Sequence, residues 1–454
     1  MYAGTPRSTH GAYLSGIKKR TEALWDKILT EEKMKFNIKS LAIAASFIGG
    51  SISAHADEIK FLCFGDGVEC EFMGEIAQDF KAATGHTVDI TQVSYNVIRE
   101  QLENQLQSGS GPDVARVTDL GGLNKYYLDL KPYVDVDYWE ESYGATLPWF
   151  RAPGGEDNGI YGWMSQLTVT GPYVNVTMFD DAGVDMPGDG ATWDDWIAAL
   201  RDVKDALGMD AAFGMDRTGH RWAGPAFSYG AKYFDESGAP ILVDEGFRTY
   251  AKNFVQWHKD GLMPQEGWPA GSGTKLRSAA PLFQSGNLAM YMSGSWQIPN
   301  FDKNITDFVW KAVPAPCGPG GCGSVPGGAA VVAFKDTKHP EAAAAWIDFL
   351  AQTENTERMA AVSKNITAHQ GLQKSGVDYG NVSPAVSQAL STFAENASKA
   401  AETTPQGYAL QGYPKNFVIH RVIPEYLTRA ITGEMDLDAA LAAIDKDVAA
   451  KIAE

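Results

Sequence analysis

The sequence predicts an α/β protein built on a parallel sheet, and three observations carry that expectation. Strand-like and helix-like runs alternate from Ile59 to Val117. Glycine- and serine-rich turns separate them, as in Gly85 and Ser108-Gly-Ser-Gly-Pro112. The composition, 44% hydrophobic and 21% charged over 454 residues, is that of a chain able to bury more than one core.

Ile59 to Phe64 is a short apolar run of strand length. Over 70–84, Phe72, Ile76 and Phe80 recur every fourth residue, which lines one helical face before Gly85 closes it. Thr87 to Val93 is a second strand, and over 95–107 Ile98, Leu102 and Leu106 again share a face. Asp113 to Val117 is the third strand. Spacing of this kind implies right-handed βαβ units. Further on, Thr192 and Asp195 form an approximate capping box for a helix carrying Trp196, Leu200, Val203 and Leu207. Pro340 opens another helix, with Trp346 and Leu350 on one face. Residues 419–453 read as two helices parted by Gly433.

The first sixty residues do not belong to this pattern. From Met34, Lys35 and Lys39 form a positive start, Leu41 to Ile52 a short apolar stretch, and Ala54-His55-Ala56 an A-x-A cleavage site. Residues 34–56 are therefore expected to be a signal peptide, and 1–33 an upstream extension before the true start. The apolar stretch is too short to span a bilayer, which takes about 20 apolar residues. From Asp57 onward the chain keeps 30 of the 38 basic and 52 of the 56 acidic residues, a formal charge of −22. Such a charge repels nucleic acid and anionic membranes.

All four cysteines lie in this exported part: Cys63, Cys70, Cys317 and Cys322. An oxidising compartment makes disulfides the expected state. Three connectivities are open, of which the two local loops are the most economical, since Gly318-Pro-Gly-Gly321 turns tightly. The spacings fit zinc poorly, because no histidine pair accompanies them.

Five blocks in order give the chain a resemblance to a known family. They are SGSGPDV at 108–114, YGWMSQLTVTGPYVN at 161–175, MFDDAGVDMP followed by TWDDW, PLFQSGNLAMYMSGSW at 281–296, and VPGGAAVVAFKDTKHPEAAAAWIDFL at 325–350. The chain resembles the carbohydrate-type extracellular solute-binding proteins of ABC importers, which include maltose-binding proteins. The resemblance implies a two-lobed periplasmic binding protein fold with discontinuous lobes joined by crossing hinge strands. It places lobe one at 57–166 plus 314–384 and lobe two at 167–313 plus 385–454. It further implies a sugar-like ligand between the lobes, delivery to membrane permease subunits, a monomer, and no cofactor or metal.

Site residues follow from that resemblance together with sugar chemistry. A pyranose presents an apolar C–H face to aromatic rings and a rim of hydroxyls to polar groups. Trp296, after Gly294-Ser295, matches the family's stacking position. Trp222, in the loop-like stretch 217–224, and Trp268, between Gly267 and Pro269, either line the cleft or pack elsewhere, whereas Trp193, Trp196 and Trp346 sit at helical spacing and pack. Asp113 matches an acidic position that accepts from sugar hydroxyls, or else holds a turn. Asp119 ends a parallel strand, the edge where open α/β sheets bind ligands. Gln166 and Thr168 fall in the hinge block, and Gly327 with Gly328 match a glycine pair that lets backbone amides approach ligand. Arg221 either reads an anionic group bidentately or is a solvated charge. Asn365 to His369 stands where the family often has Pro-Arg, so no contact is carried over to that loop.

Catalytic signatures do not survive inspection. GxSxG and the GxxxxGK[ST] phosphate loop are absent, and the GxGxxG of Gly318, Gly320 and Gly323 precedes a strand rather than a helix. Two other readings remain: a secreted glycoside hydrolase, since carboxylates and tryptophans serve both jobs, and a ligand-dependent partner of a membrane sensor.

Overall fold

The computed structural model describes residues 56–453 apart from Asp66 and Gly154, with the side chains of 398–403 left aside. The expected extension and signal peptide lie outside the described residues, except Ala56. No helix among the described residues is long and apolar enough to cross a membrane.

The N-terminal alternation folds as its periodicity requires. Strand β1 (Glu58–Phe64) leads into helix Glu69–Thr84, whose face of Phe72, Met73, Ile76 and Phe80 is buried. Gly85 ends that helix at φ 84°, a left-handed conformation that glycine adopts without a Cβ penalty. Strand β2 (Thr87–Val93), helix Tyr95–Gln107 and β3 (Val114–Val117) follow, with β2 and β3 both parallel to β1.

Beyond β3 the sheet changes character. Strand β4 (Gly162–Asn175) is buried at all 14 positions, as a strand covered on both faces must be. The remaining strands are β5 (Phe213–Met215), β6 (Met290–Gly294), β7 (Trp310–Ala312), the pair β8 (Cys317–Gly318) and β9 (Gly321–Cys322), and β10 (Pro326–Ala333). The main sheet runs β2-β1-β3-β10-β4-β6-β5, with β7 also on β4. The first half of β4 pairs antiparallel with β10 and its second half with β6 and β7. One long strand thus ties two hydrophobic clusters together. The first gathers around β1 to β3 and includes Trp139, Trp163 and Trp346. The second gathers around β5 and includes Trp193, Trp196, Trp222 and Trp268.

The capping box forms in full: Thr192 Oγ1 accepts from the Asp195 amide at 3.2 Å, and Asp195 Oδ2 accepts from the Thr192 amide at 2.8 Å. Gly433, at φ 76°, separates helices Asn416–Ile431 and Leu437–Ala453. The expectation of a loop over 217–224 is wrong. Gly219–Ser228 is a helix, N-capped by Thr218, despite Gly224 and Pro225. Burial of Trp222, Ala223, Ala226 and Phe227 against the second cluster overrides weak intrinsic propensity.

Both cysteine pairs are the local ones, Cys63–Cys70 and Cys317–Cys322. The glycines between and beside the second pair have a packing reason. A Cβ on Gly318, Gly320 or Gly323 would stand 2.1–2.4 Å from backbone oxygens of Ser228, Phe227 and Gly224. Only glycine lets this hairpin lie on helix Gly219–Ser228.

Candidate functional site

A cavity of about 250 Å³ opens where the C-terminal ends of β1 and β3 meet the middle of β4 and β10. Its floor is set by a buried arginine. Arg116, on β3, donates to the Phe64 carbonyl at 2.7 Å and to Gln166 Oε1 at 2.9 Å, and its guanidinium lies 4.3 Å from the Phe64 ring centroid. Gln166 Nε2 donates onward to Asn365 Oδ1, and Asn365 Nδ2 to Glu69 Oε1. This chain uses both ends of the Gln166 amide and fixes which atom is which, because a guanidinium only donates. The disulfide Cys63–Cys70 staples the end of β1 to the helix carrying Glu69, beside cavity-lining Phe64 and Gly65.

One wall comes from β5, helix Gly219–Ser228 and the turn after β6. Asp216 is buried and accepts from Tyr291 Oη at 2.6 Å, the Ala279 amide at 2.9 Å, and Ser293 Oγ and Arg221 Nε at 3.3 Å each. Arg221 lies flat against Trp296, its guanidinium carbon 4.0 Å from the ring centroid. Its Nη1 sits 3.1 Å from His220 Nδ1. Since arginine only donates, Nδ1 accepts and Nε2 carries the histidine proton.

A second wall comes from helix Tyr95–Gln107, and helix Asn416–Ile431, packed on helix Gly219–Ser228, brings Phe417 and His420 up to it. Tyr95 Oη is 2.8 Å from Thr118 Oγ1 at the end of β3. The Arg99 guanidinium lies 5.6 Å from the centroids of both Tyr95 and Phe417. Arg421 Nη2 donates to the Arg99 carbonyl at 2.7 Å. His420 bridges the walls, its ring centroid 5.3 Å from that of His220. Burial, then the positive field of Arg99, Arg221 and Arg421, depresses the His420 pKa to about 3. Burial and the neighbouring Arg221 likewise hold His220 neutral.

A family model described as "Bacterial extracellular solute-binding protein" matches residues 70–357, well over half of the chain. The chain belongs to the bacterial extracellular solute-binding proteins. Among solved structures it is similar to an ABC substrate-binding protein from Listeria monocytogenes in complex with cycloalternan, at 17% identity and TM-score 0.72 over 88% of this chain and 99% of that one. The GacH receptor of Streptomyces glaucescens, described unliganded and with acarbose, is similar at 17% identity and TM-score 0.70 over 86% and 97%. An ABC transporter solute-binding protein from Agrobacterium vitis with bound D-mannitol matches at 17% identity and TM-score 0.68 over 87% and 98%. No curated protein matches by sequence. Likeness at this identity establishes the fold, the two-lobed α/β architecture of the periplasmic binding proteins.

Within this solute-binding protein, Gln166, Thr168, Trp296 and Gly328 all line the cavity, as does Arg221. Gly328 is held at φ 149°, and a Cβ there would stand 2.0 Å from the Gln166 carbonyl oxygen. Gly327 pairs with Thr168 just beside the cavity, its Cβ position 3.1 Å from His220 Nε2. Asp119 follows cavity-lining Thr118 and accepts from the Gly122 amide at 3.0 Å. Burial is the largest influence on it and lifts its pKa to about 7.

Three expectations need correction. Trp222 is fully buried, with ring centroids 4.3 Å from Phe247 and 4.6 Å from Tyr250, because the helix turns it away from neighbouring Arg221. Trp268 is equally buried against Phe254, and its Nε1 donates to the Met215 carbonyl. Asp113 stands at the N-terminal end of β3, where it accepts from the Lys60 amide and from Thr337 Oγ1. It pins the wrong edge of the sheet to meet a ligand. Sequence reasoning missed Arg99, Arg116, Asp216, Phe417 and His420. Of these, Asp216 had a signal, since it directly follows a short apolar strand.

Proposed function

We propose that this protein is the substrate-binding component of an ABC sugar importer, which captures a mono- or oligosaccharide, or a related polyol or sugar derivative, and delivers it to membrane permease subunits. The observation that carries this reading is the composition of the cavity wall. Trp296 offers a partly exposed ring among Thr168, Thr218, Ser278, Gln297, Gln411 and Asn416, an apolar platform rimmed by hydroxyl and amide groups. That is the chemistry a sugar ring presents in reverse. The ligands named for the similar structures, cycloalternan, acarbose and D-mannitol, are of the same class.

The mechanism is differential contact. Lobe one takes 57–166 with 314–384, and lobe two 167–313 with 385–454. A ligand that touches both at once favours their closed arrangement by the difference in its affinity for open and closed forms. No bond is made or broken. Asp216 supports this, because a glycosidase needs two carboxyls about 5–10 Å apart. Among the described residues lining the cavity Asp216 is the one carboxylate, and it is committed to four protein donors. The protein acts as an exported periplasmic monomer after removal of residues 34–56.

A thermal-shift screen of the mature chain against a carbohydrate panel tests the reading. A ligand at 100 times its dissociation constant stabilises by about 2.7 kcal/mol. Steady turnover of any glycoside, or no shift with any sugar or polyol, counts against it.

A further inference from the structure

The arginines in and beside the cavity differ in how they are balanced. Arg217, almost fully buried, gives its guanidinium to the carbonyls of Lys275, Gly273 and Pro424 and to Thr428 Oγ1. It is satisfied by the fold. Arg221 is balanced by Asp216. Arg99 has neither arrangement. It lines the cavity, and among the described residues its guanidinium forms no hydrogen bond or ion pair, only the flanking contacts with Tyr95 and Phe417. A guanidinium does not shed its proton, so its five donors and its charge persist.

We infer that the ligand of this cavity carries a formal negative charge, a sugar acid rather than a neutral sugar, and that Arg99 reads its anionic group. The inference rests on the sugar-binding reading above and narrows its ligand class. Two rings flank the Arg99 guanidinium at 5.6 Å, and its planar fork can accept a carboxylate, sulfonate or phosphate through paired N–H donors. Among the described residues no protein carboxylate pairs with it directly, although the Asp119 carboxyl lies within electrostatic reach of both Arg99 and Arg421. Asp119 is turned to the Gly122 amide, and Glu103 is paired with Lys125 at 3.1 Å. Arg421 adds a second positive charge behind Arg99, tied to its carbonyl.

His420 supplies an independent observation. It is 95% buried, it lines the same cavity, and its Nδ1 has no hydrogen-bond partner. An unpartnered buried polar atom costs stability unless something meets it. An acidic ligand offers a counter-charge for the arginines whose field surrounds that ring. The whole chain carries a net charge of −18, so the positive cavity is a local arrangement and not a reflection of the surface. At about 250 Å³ the cavity lies below the usual range of roughly 300–1,000 Å³, which suits one ring with a short acidic arm.

Calorimetric titration of the mature protein with matched pairs tests this: glucose against glucuronate, and galactose against galacturonate. Glucose 6-phosphate and 6-deoxy-6-sulfoglucose serve as phosphate and sulfonate arms. In at least one pair or arm the acidic member binds about tenfold tighter or more than its neutral counterpart. That preference shrinks as salt rises from about 50 to about 500 mM, a test needing no variant. Arg99→Gln cuts the acid-to-neutral ratio by about tenfold or more, and Arg99→Lys, which keeps charge but loses the planar fork, cuts it less. Neutral sugars binding as tightly as every acid, or a ratio unmoved by Arg99→Gln, overturns this inference and leaves the sugar-binding reading standing. Binding by no member of the panel overturns the inference, while the sugar-binding reading stands or falls on the wider carbohydrate screen.

Discussion

The two walls of the cavity hold similar residues in different electrostatic states. On the wall from β5 and helix Gly219–Ser228, Arg221 is stacked on Trp296 and neutralised by Asp216, which is itself held by Tyr291, Ser293 and the Ala279 amide. On the wall from helix Tyr95–Gln107, Arg99 lies between Tyr95 and Phe417, the latter from helix Asn416–Ile431, with no carboxylate bonded to it. The first wall is complete before ligand arrives, and can present shape and hydrogen-bond pattern at little reorganisation cost. The second leaves the N–H donors of Arg99 free for a group from outside the chain. A cation over an aromatic ring is therefore not one kind of feature. Its meaning depends on whether the fold has supplied the counter-charge.

The strongest way to break this contrast is to remove the compensation. Asp216→Ala leaves Arg221 unbalanced and three other donors unsatisfied in a buried place. It is expected to cost about 3–5 kcal/mol of folding stability, measured by urea unfolding. A loss below about 1 kcal/mol means that the wall is not organised by this carboxylate.

The next effect is on affinity. Trp296→Ala removes the platform on which Arg221 lies and should weaken ligand binding by about 1–3 kcal/mol, roughly tenfold to a hundredfold, with the fold retained. Titration with the ligand found in the carbohydrate screen measures it. Unchanged affinity would return Trp296 to a packing role.

A different effect appears as a slope with pH. The folded pKa of Asp119 is about 7 against an ordinary 3.8, so between those values the folded state holds a proton that the unfolded chain has lost. Its contribution is therefore greatest at low pH, declines as pH rises through 7, and is level above that. Asp119→Asn should gain stability relative to the wild type on going from pH 4 to pH 8, followed by urea midpoints. His258 and His420, both depressed to about 3, act in the opposite sense below about pH 6.5. They are present in both proteins and cancel in the difference. A difference independent of pH would place the Asp119 carboxyl in water.

The smallest change tests how the uncompensated wall is attached. Tyr95→Phe keeps the ring beneath Arg99 and deletes the hydrogen bond to Thr118, at a cost of about 0.5–1.5 kcal/mol. Thermal melts of the ligand-free protein report it. No shift at all would mean that helix Tyr95–Gln107 is held to β3 without that bond.

What the sequence by itself determined is what depends on neighbours along the chain. The fourfold recurrence of Phe72, Ile76 and Phe80 and the closing Gly85 specify a helix wherever it packs. The Thr192–Asp195 cap needs only a few residues to form, whereas the local pairs Cys63–Cys70 and Cys317–Cys322 were only the most economical of three open connectivities until the fold joined them. Gly294-Ser-Trp296 was legible through its resemblance to the family's stacking position, and it does follow a short strand. Tertiary structure alone decided the rest. Arg221 and Trp222 are adjacent in sequence, and only the orientation of their helix sends one to the cavity and the other to the core. Asp119 could be placed at the cleft edge from the end of its strand, but only the fold showed that Asp113, at the other end, is committed to Lys60 and Thr337. Arg99, Arg116 and Arg217 look alike in the sequence. Whether a guanidinium is exhausted by carbonyls, shared with a glutamine or left facing a cavity depends on groups brought from tens to hundreds of residues away, as Gln166 is to Arg116 and Thr428 is to Arg217. Charge is local in the sequence, but its compensation is a property of the fold.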